Sequence, residues 1–204
     1  PAFQGTIDGA GHTVNGLYYE KELGKSYLAG CDGVALIPKT ENATVKNLCV
    51  DNVYIHHEAS ASAFVAAAPA GFVVNLDSCY AGENVFLKAY NVGALRGHAA
   101  GAGGGNFVNC YSLATLDAVN DSGLLGYNWD NGANVLVISG CYNAKGAIST
   151  MADTWYYGNV QGCYETAASG FSEGNTLLTT AQMQGEIALK NMSALNNYGN
   201  FYVT

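Results

Sequence analysis

One short pattern of apolar and polar positions returns along the whole chain. It runs apolar, any residue, a small residue or Asn, apolar or Cys, then usually Tyr. It reads Val14-Asn15-Gly16-Leu17-Tyr18, Val45-Lys46-Asn47-Leu48-Cys49, Leu76-Asp77-Ser78-Cys79-Tyr80 and Phe107-Val108-Asn109-Cys110-Tyr111. Ile138-Ser139-Gly140-Cys141-Tyr142 and Val160-Gln161-Gly162-Cys163-Tyr164 complete the series. Four successive intervals are 31 residues and the last is 22. Two inward positions three apart do not fit the simple alternation of one strand. They fit two short strands meeting at a corner, where Asn, Gly or Ser takes up the left-handed conformation.

A second marker accompanies these units: Ala63-Phe64-Val65-Ala66, Gly93-Ala94-Leu95-Arg96-Gly97, Ser122-Gly123-Leu124-Leu125-Gly126 and Trp155-Tyr156-Tyr157-Gly158. Short β-rich pieces such as Asn84-Val85-Phe86-Leu87-Lys88 lie between. Each repeat therefore holds about three strands and is one coil of a β-solenoid. A lone coil cannot bury its inner face, but stacked coils share a continuous core. The 31-residue coils carry an extra loop relative to the 22-residue step, and Gly101 to Gly105 is one such loop.

The organisation expected is one all-β domain over 1–204. Residues 1–13 form an N-terminal cap or first coil, 14–170 about six stacked coils, and 171–204 a capping segment. In that last segment Thr179 followed by Gln182 reads as a helix N-cap. Met183, Ile187, Ala188 and Met192 then follow helical spacing, so a helix over 180–192 is predicted to fold over the open end. Phe201-Tyr202-Val203 would add a closing strand.

Stacking assigns the cysteines. Leu17, Leu48, Cys79, Cys110, Cys141 and Cys163 fall in one inward column, with rungs about 4.7–4.9 Å apart. That spacing keeps Cβ atoms beyond the ~3.8 Å that disulfides prefer, so these thiols are read as free and buried. Cys49 falls in the next, outward column and Cys31 is off the pattern. No CxxC or clustered Cys/His pair points to zinc.

Composition narrows the function classes. Of 204 residues, 49% are hydrophobic and only 12% charged, with 26 Gly and 14 Tyr. That mix excludes a coiled coil and ordinary disorder. No apolar run reaches the ~18 residues of a membrane-spanning helix, so direct membrane insertion is not expected. Eight basic residues stand against 16 acidic ones, a net charge of −8, and Arg96 is the single arginine. Nucleic acid is thereby an unfavoured partner, and anionic polymers would meet few cations. The chain opens at Pro1 without Met and is read as one module of a larger multidomain protein.

The candidate ligand-binding residues are Tyr80, Tyr111 and Tyr142, with Trp129. The outward column Tyr18, Cys49, Tyr80, Tyr111, Tyr142 and Tyr164 could present apolar area and hydroxyls to sugar rings. The competing reading is an aromatic ladder that stiffens the stack. Catalytic readings have less support. Asp117, Asp121 and Asp130 lie near one another in sequence, with Arg96 and His98 one coil earlier, but no Asp-Asp pair or Arg-x-Lys occurs. His56 and His57 are adjacent on a strand and point to opposite faces. No catalytic residue, metal ligand or cofactor is therefore assigned.

Several of these features resemble the GLUG-repeat family of bacterial surface proteins. They are Gly5-Thr6-Ile7-Asp8-Gly9-Ala10-Gly11-His12-Thr13-Val14, the Gly-apolar-apolar-Gly elements (intact at 123–126), the Asn-Cys-Tyr corners and Thr179-Thr180-Ala181-Gln182-Met183. The resemblance implies a right-handed, single-stranded parallel β-helix of the pectate-lyase type. It also implies an extracellular or cell-surface, adhesin-like module without catalysis, with a glycan or host glycoprotein as partner. A carbohydrate-active enzyme domain and a structural spacer in a large secreted peptidase or adhesin are the alternatives.

Overall fold

The computed structural model describes residues 2–21, 33–69, 71–99, 103–128, 136–150, 158–169 and 173–197. In chain order its strands are β1 (Phe3–Asn15), β2 (Tyr18–Glu20), β3 (Ile37–Asp51), β4 (Val53–His56), β5 (Ser60–Ser62), β6 (Val65–Ala68), β7 (Val74–Asp77), β8 (Tyr80–Ala81), β9 (Val85–Ala89) and β10 (Asn91–Ala99). There follow β11 (Gly105–Val108), β12 (Tyr111–Ser112), β13 (Thr115–Ala118), β14 (Ser122–Asn128), β15 (Leu136–Ser139), β16 (Tyr142–Asn143), β17 (Gly158–Gln161), β18 (Cys163–Glu165) and β19 (Asn175–Leu177). Every strand pairing among the described residues is parallel. The architecture is a parallel, solenoid-like β structure, with one extensive sheet and a four-stranded sheet in the order β13-β9-β4-β2.

The period read from the sequence sets the register. Leu76 lies opposite Val45 on one side and Phe107 on the other; Phe107 faces Ile138, and Ile138 faces Val160. All five are buried and form one apolar column. Burying each such side chain is worth about 1.5–3 kcal/mol. The Gly-apolar-apolar-Gly markers stack likewise, with Val65 opposite Arg96 and Arg96 opposite Leu125.

The corners take the conformation their residue types suggested. Asn47, Ser78 and Asn109 each have φ near +53°, and Gly140 and Gly162 +58°. In three of these left-handed turns the backbone N–H reaches the next rung: Ser78 donates to Val108 at 3.0 Å, Asn109 to Ser139 at 3.0 Å and Gly140 to Gln161 at 2.9 Å. The corner thus satisfies its own amide within the stack.

The first unit departs from expectation. Ile7 pairs with Val45, and Leu48 lies opposite His12 rather than Leu17. Cys49 lies opposite Thr13, and Tyr18 pairs with Tyr54 on the four-stranded sheet. Val14–Tyr18 is a corner, but it stacks on the one at Asn52: Gly16 has φ +86°, Asn52 +51°, and the Gly16 amide donates to the Asn52 carbonyl at 3.1 Å. The corner over Asn47 is Gly9-Ala10-Gly11, where the register shifts and Ala10 and Gly11 take φ of 50° and 80°. The first coil is longer than the others: its offset to the next is 38 residues before this corner (Ile7 to Val45) and 36 after it (His12 to Leu48), against 31 later in the chain.

The C-terminal segment also differs. The capping box is present, with Thr179 and Gln182 bonding reciprocally. It opens a 3₁₀ turn at Thr180–Met183, and the α-helix α1 spans only Gly185–Asn191. The extended Gln184 and left-handed Gly185 (φ +60°) interrupt the predicted single helix. Met183, Ala188, Met192 and Leu195 do not lie over an open end. They pack with Tyr142 and Tyr164 on the outward face, leaving Ile187 half exposed. An unpredicted strand, β19, adds a rung against β18, with Asn175 opposite Cys163. The proposed closing strand at 201–203 lies outside the described residues.

Candidate functional site

The thiol column lies just inside the corners. Its members Cys79, Cys110, Cys141 and Cys163 are free and buried; Cys49, also free and buried, lies in register with Tyr80 on the other row, and Cys31 lies outside the described residues. The Cys79 amide donates to Sγ of Cys110 and the Cys110 amide to Sγ of Cys141, each at 3.4 Å. The Cys79 thiol donates to the Val45 carbonyl and the Cys141 thiol to that of Phe107, also at 3.4 Å. Burial holds the Cys110 and Cys141 thiols well above their ordinary pKa. Buried neutral thiols make poor nucleophiles and ligands, so this column is packing.

On the other side of each corner runs the tyrosine row. The structure brings Tyr80, Tyr111 and Tyr142 together in register. The Tyr80 and Tyr111 rings are 4.6 Å apart and 6° from parallel; those of Tyr111 and Tyr142 are 4.8 Å apart and 4° from parallel. A ring sandwiched this way spends both faces on its neighbours and offers only its edge and hydroxyl. Tyr111 is half-buried, and Tyr142 and Tyr164 are 9% and 5% exposed beneath the C-terminal segment. The Tyr164 hydroxyl accepts the Ala194 amide at 3.1 Å. Burial, and then the neighbouring Tyr80, raise the Tyr111 pKa. Trp129 lies outside the described residues.

A second aromatic row went unrecognised in the sequence. On the four-stranded sheet Tyr18 pairs with Tyr54 and Tyr54 with Phe86. Their rings stack at 5.4 and 5.5 Å, with planes 18° and 15° apart. Tyr18 is on the edge strand β2 and is 69% exposed. Its hydroxyl donates to Glu20 at 2.6 Å. Two residues along each strand, on the same face, run Glu20, His56, Lys88 and Asp117. Lys88 and Asp117 form an ion pair at 3.3 Å. The 31-residue period hides this row, because Tyr18 to Tyr54 is 36 residues and Tyr54 to Phe86 is 32.

The residues weighed for catalysis are largely committed elsewhere. Arg96 is 1% exposed; it donates to Asn128 Oδ1 at 2.8 Å and to the Gly103 and Gly104 carbonyls at 3.4 Å. Its guanidinium also lies 5.3 Å from the Phe107 ring centre. His98 stacks on Tyr127 at 5.1 Å, and burial, then Arg96, lower its pKa to about 4. Asp130 lies outside the described residues. Glu165 is a buried carboxylate that sequence reading overlooked. It accepts the Ile148 amide at 2.8 Å, the Ser169 amide at 3.0 Å and the Asn175 side chain, and so pins the turns beside the last rungs. Among the described residues no group of three or more His, Cys, Asp or Glu could hold a metal ion. No described helix is long and apolar enough to cross a membrane. A groove of about 540 Å³ opens beside Phe3, Ile7, Leu36 and Ile37, against the first strands.

Comparison with family models, with curated proteins and with solved structures found no match to this chain.

Proposed function

We propose that this chain is a non-catalytic extracellular module of a bacterial surface or secreted protein, related to the GLUG-repeat proteins. In this reading it is a right-handed, single-stranded parallel β-helix of about six coils. It is one part of a larger protein, and its outer face meets a carbohydrate or host glycoprotein. The observation that carries the reading is the aromatic row on the four-stranded sheet, exposed at Tyr18 and partly buried at Tyr54 and Phe86, flanked by a polar row on the same strands. A stack of coils holds such a row rigidly, which lowers the entropy lost on binding. The chemistry for a polysaccharide lyase or hydrolase has less support, since Arg96 is buried against carbonyls and Asp117 is paired with Lys88.

The spacer reading is favoured by a different observation. The Tyr80–Tyr111–Tyr142 rings are stacked on one another, as a row that stiffens the stack would be. A glycan array probed with the wild-type module separates the two. Retention of a neutral polysaccharide or host glycoprotein supports the binding module. Retention of none removes the binder and leaves the spacer.

A further inference from the structure

We infer that the C-terminal segment is an oxidation-sensitive strap: Met183 and Met192 hold it on the tyrosine row as thioethers and release it as sulfoxides. This goes beyond the glycan-binding reading and does not depend on it. The segment comprises the 3₁₀ turn Thr180–Met183, α1 (Gly185–Asn191) and a second 3₁₀ turn, Ser193–Asn197. Helical pieces this short do not hold their shape alone in water, so their seat on the body orders them. Their buried side chains are Met183, Ala188, Met192 and Leu195, packed with Tyr142 and Tyr164. Two of these four anchors are methionines, in a chain that has three. The Ala194 amide reaches the body at the Tyr164 hydroxyl, 3.1 Å away, whereas the Asn191 side chain donates within the segment, to the Gln182 carbonyl at 3.1 Å.

The reactant is hydrogen peroxide or a related two-electron oxidant. The thioether sulfur attacks the peroxide: an S–O bond forms, the O–O bond breaks, and the departing oxygen leaves as water. The sulfur is oxidised and the peroxide reduced. The product is polar, and returning it to an apolar seat carries a desolvation cost that the thioether did not. Met183 is 7% and Met192 2% exposed, so the oxidant reaches them when the segment opens locally. Oxidation is thus favoured in the open form and then opposes closure. Opening uncovers Tyr142 and Tyr164, which are in register with Tyr111 and continue its row.

The test treats the whole chain with hydrogen peroxide and then with trypsin. Lys190 lies in α1 and is the last Lys or Arg of the sequence, so cleavage there reports opening of the segment. Peptide mass spectrometry should find Met183 and Met192 as sulfoxides. Cleavage at Lys190 should then be roughly tenfold faster, with the β circular dichroism unchanged. Methionine sulfoxide reductases for both epimers, with dithiothreitol, should restore slow cleavage, and dithiothreitol alone should not. The double variant Met183→Leu/Met192→Leu keeps apolar volume at both anchors and retains every cysteine, so its cleavage should not respond to peroxide. Met151→Leu should respond as wild type does, which keeps the test decisive if the double variant does not fold. Sulfoxides at both anchors with unchanged cleavage would overturn the inference. So would thioethers that persist until the circular dichroism is lost, or a response that the double variant shares or that Met151→Leu abolishes.

Discussion

Tyr111 and Tyr142 lie 4.8 Å apart with rings 4° from parallel, yet Tyr142 is buried beneath the C-terminal segment while Tyr111 keeps an open edge. The segment is anchored by apolar contact from Met183, Ala188, Met192 and Leu195. Replacing Met192 by Asp would put an unpaired charge against that apolar layer. The expected result is a detached segment on an intact solenoid-like body. Binding of a hydrophobic dye should rise while far-ultraviolet circular dichroism keeps its β signature. Loss of the β signature would show that the segment supports the whole fold.

The thiol column predicts a labelling pattern. In the native protein at pH 8, iodoacetamide should leave Cys79, Cys110, Cys141 and Cys163 unmodified, because all four are shut off from solvent and burial further disfavours the thiolate of Cys110 and Cys141. After denaturation without reductant, mass spectrometry should find all four alkylated. A disulfide between any two would contradict the column.

Leu48 begins that column and is 3% exposed, opposite His12 of the first strand. Leu48→Ala should cost ~2–5 kcal/mol and Leu48→Asp should unfold the module. Leu17 lies outside the column, so Leu17→Ala should cost less than Leu48→Ala. Chemical denaturation of the variants measures the order, and equal losses at the two sites would refute the register.

His98 supplies a pH dependence. Its ordinary pKa is 6.5 and burial lowers it to about 4 in the fold. Below pH 6.5 the unfolded chain takes up a proton that the folded one refuses. Stability should therefore fall as pH drops from about 6.5 to about 4, by up to ~3 kcal/mol from this group. His98→Phe keeps a ring against Tyr127 and cannot protonate, so its melting temperature should decline less over that window. Parallel declines for both proteins would place the effect elsewhere.

The sequence by itself determined the repeat and much of the core. Units three residues deep between apolar columns, with Asn, Ser or Gly at the turn, leave few backbone choices, and Asn47, Ser78, Asn109, Gly140 and Gly162 all take the left-handed turn. The free thiols followed from the same spacing. What only the tertiary structure decided were the places where the period breaks. The first coil takes 36 to 38 residues where later ones take 31, so Leu17 left the column and Tyr18 joined another sheet. Local composition cannot report this, because register depends on how many residues the whole intervening coil consumes. Ring orientation was equally out of reach: a column of tyrosines in sequence does not say whether faces point to solvent or to one another. Nor could an amphipathic tail name its seat, since an apolar face fits any apolar surface of matching shape. Here the seat was Tyr142 and Tyr164.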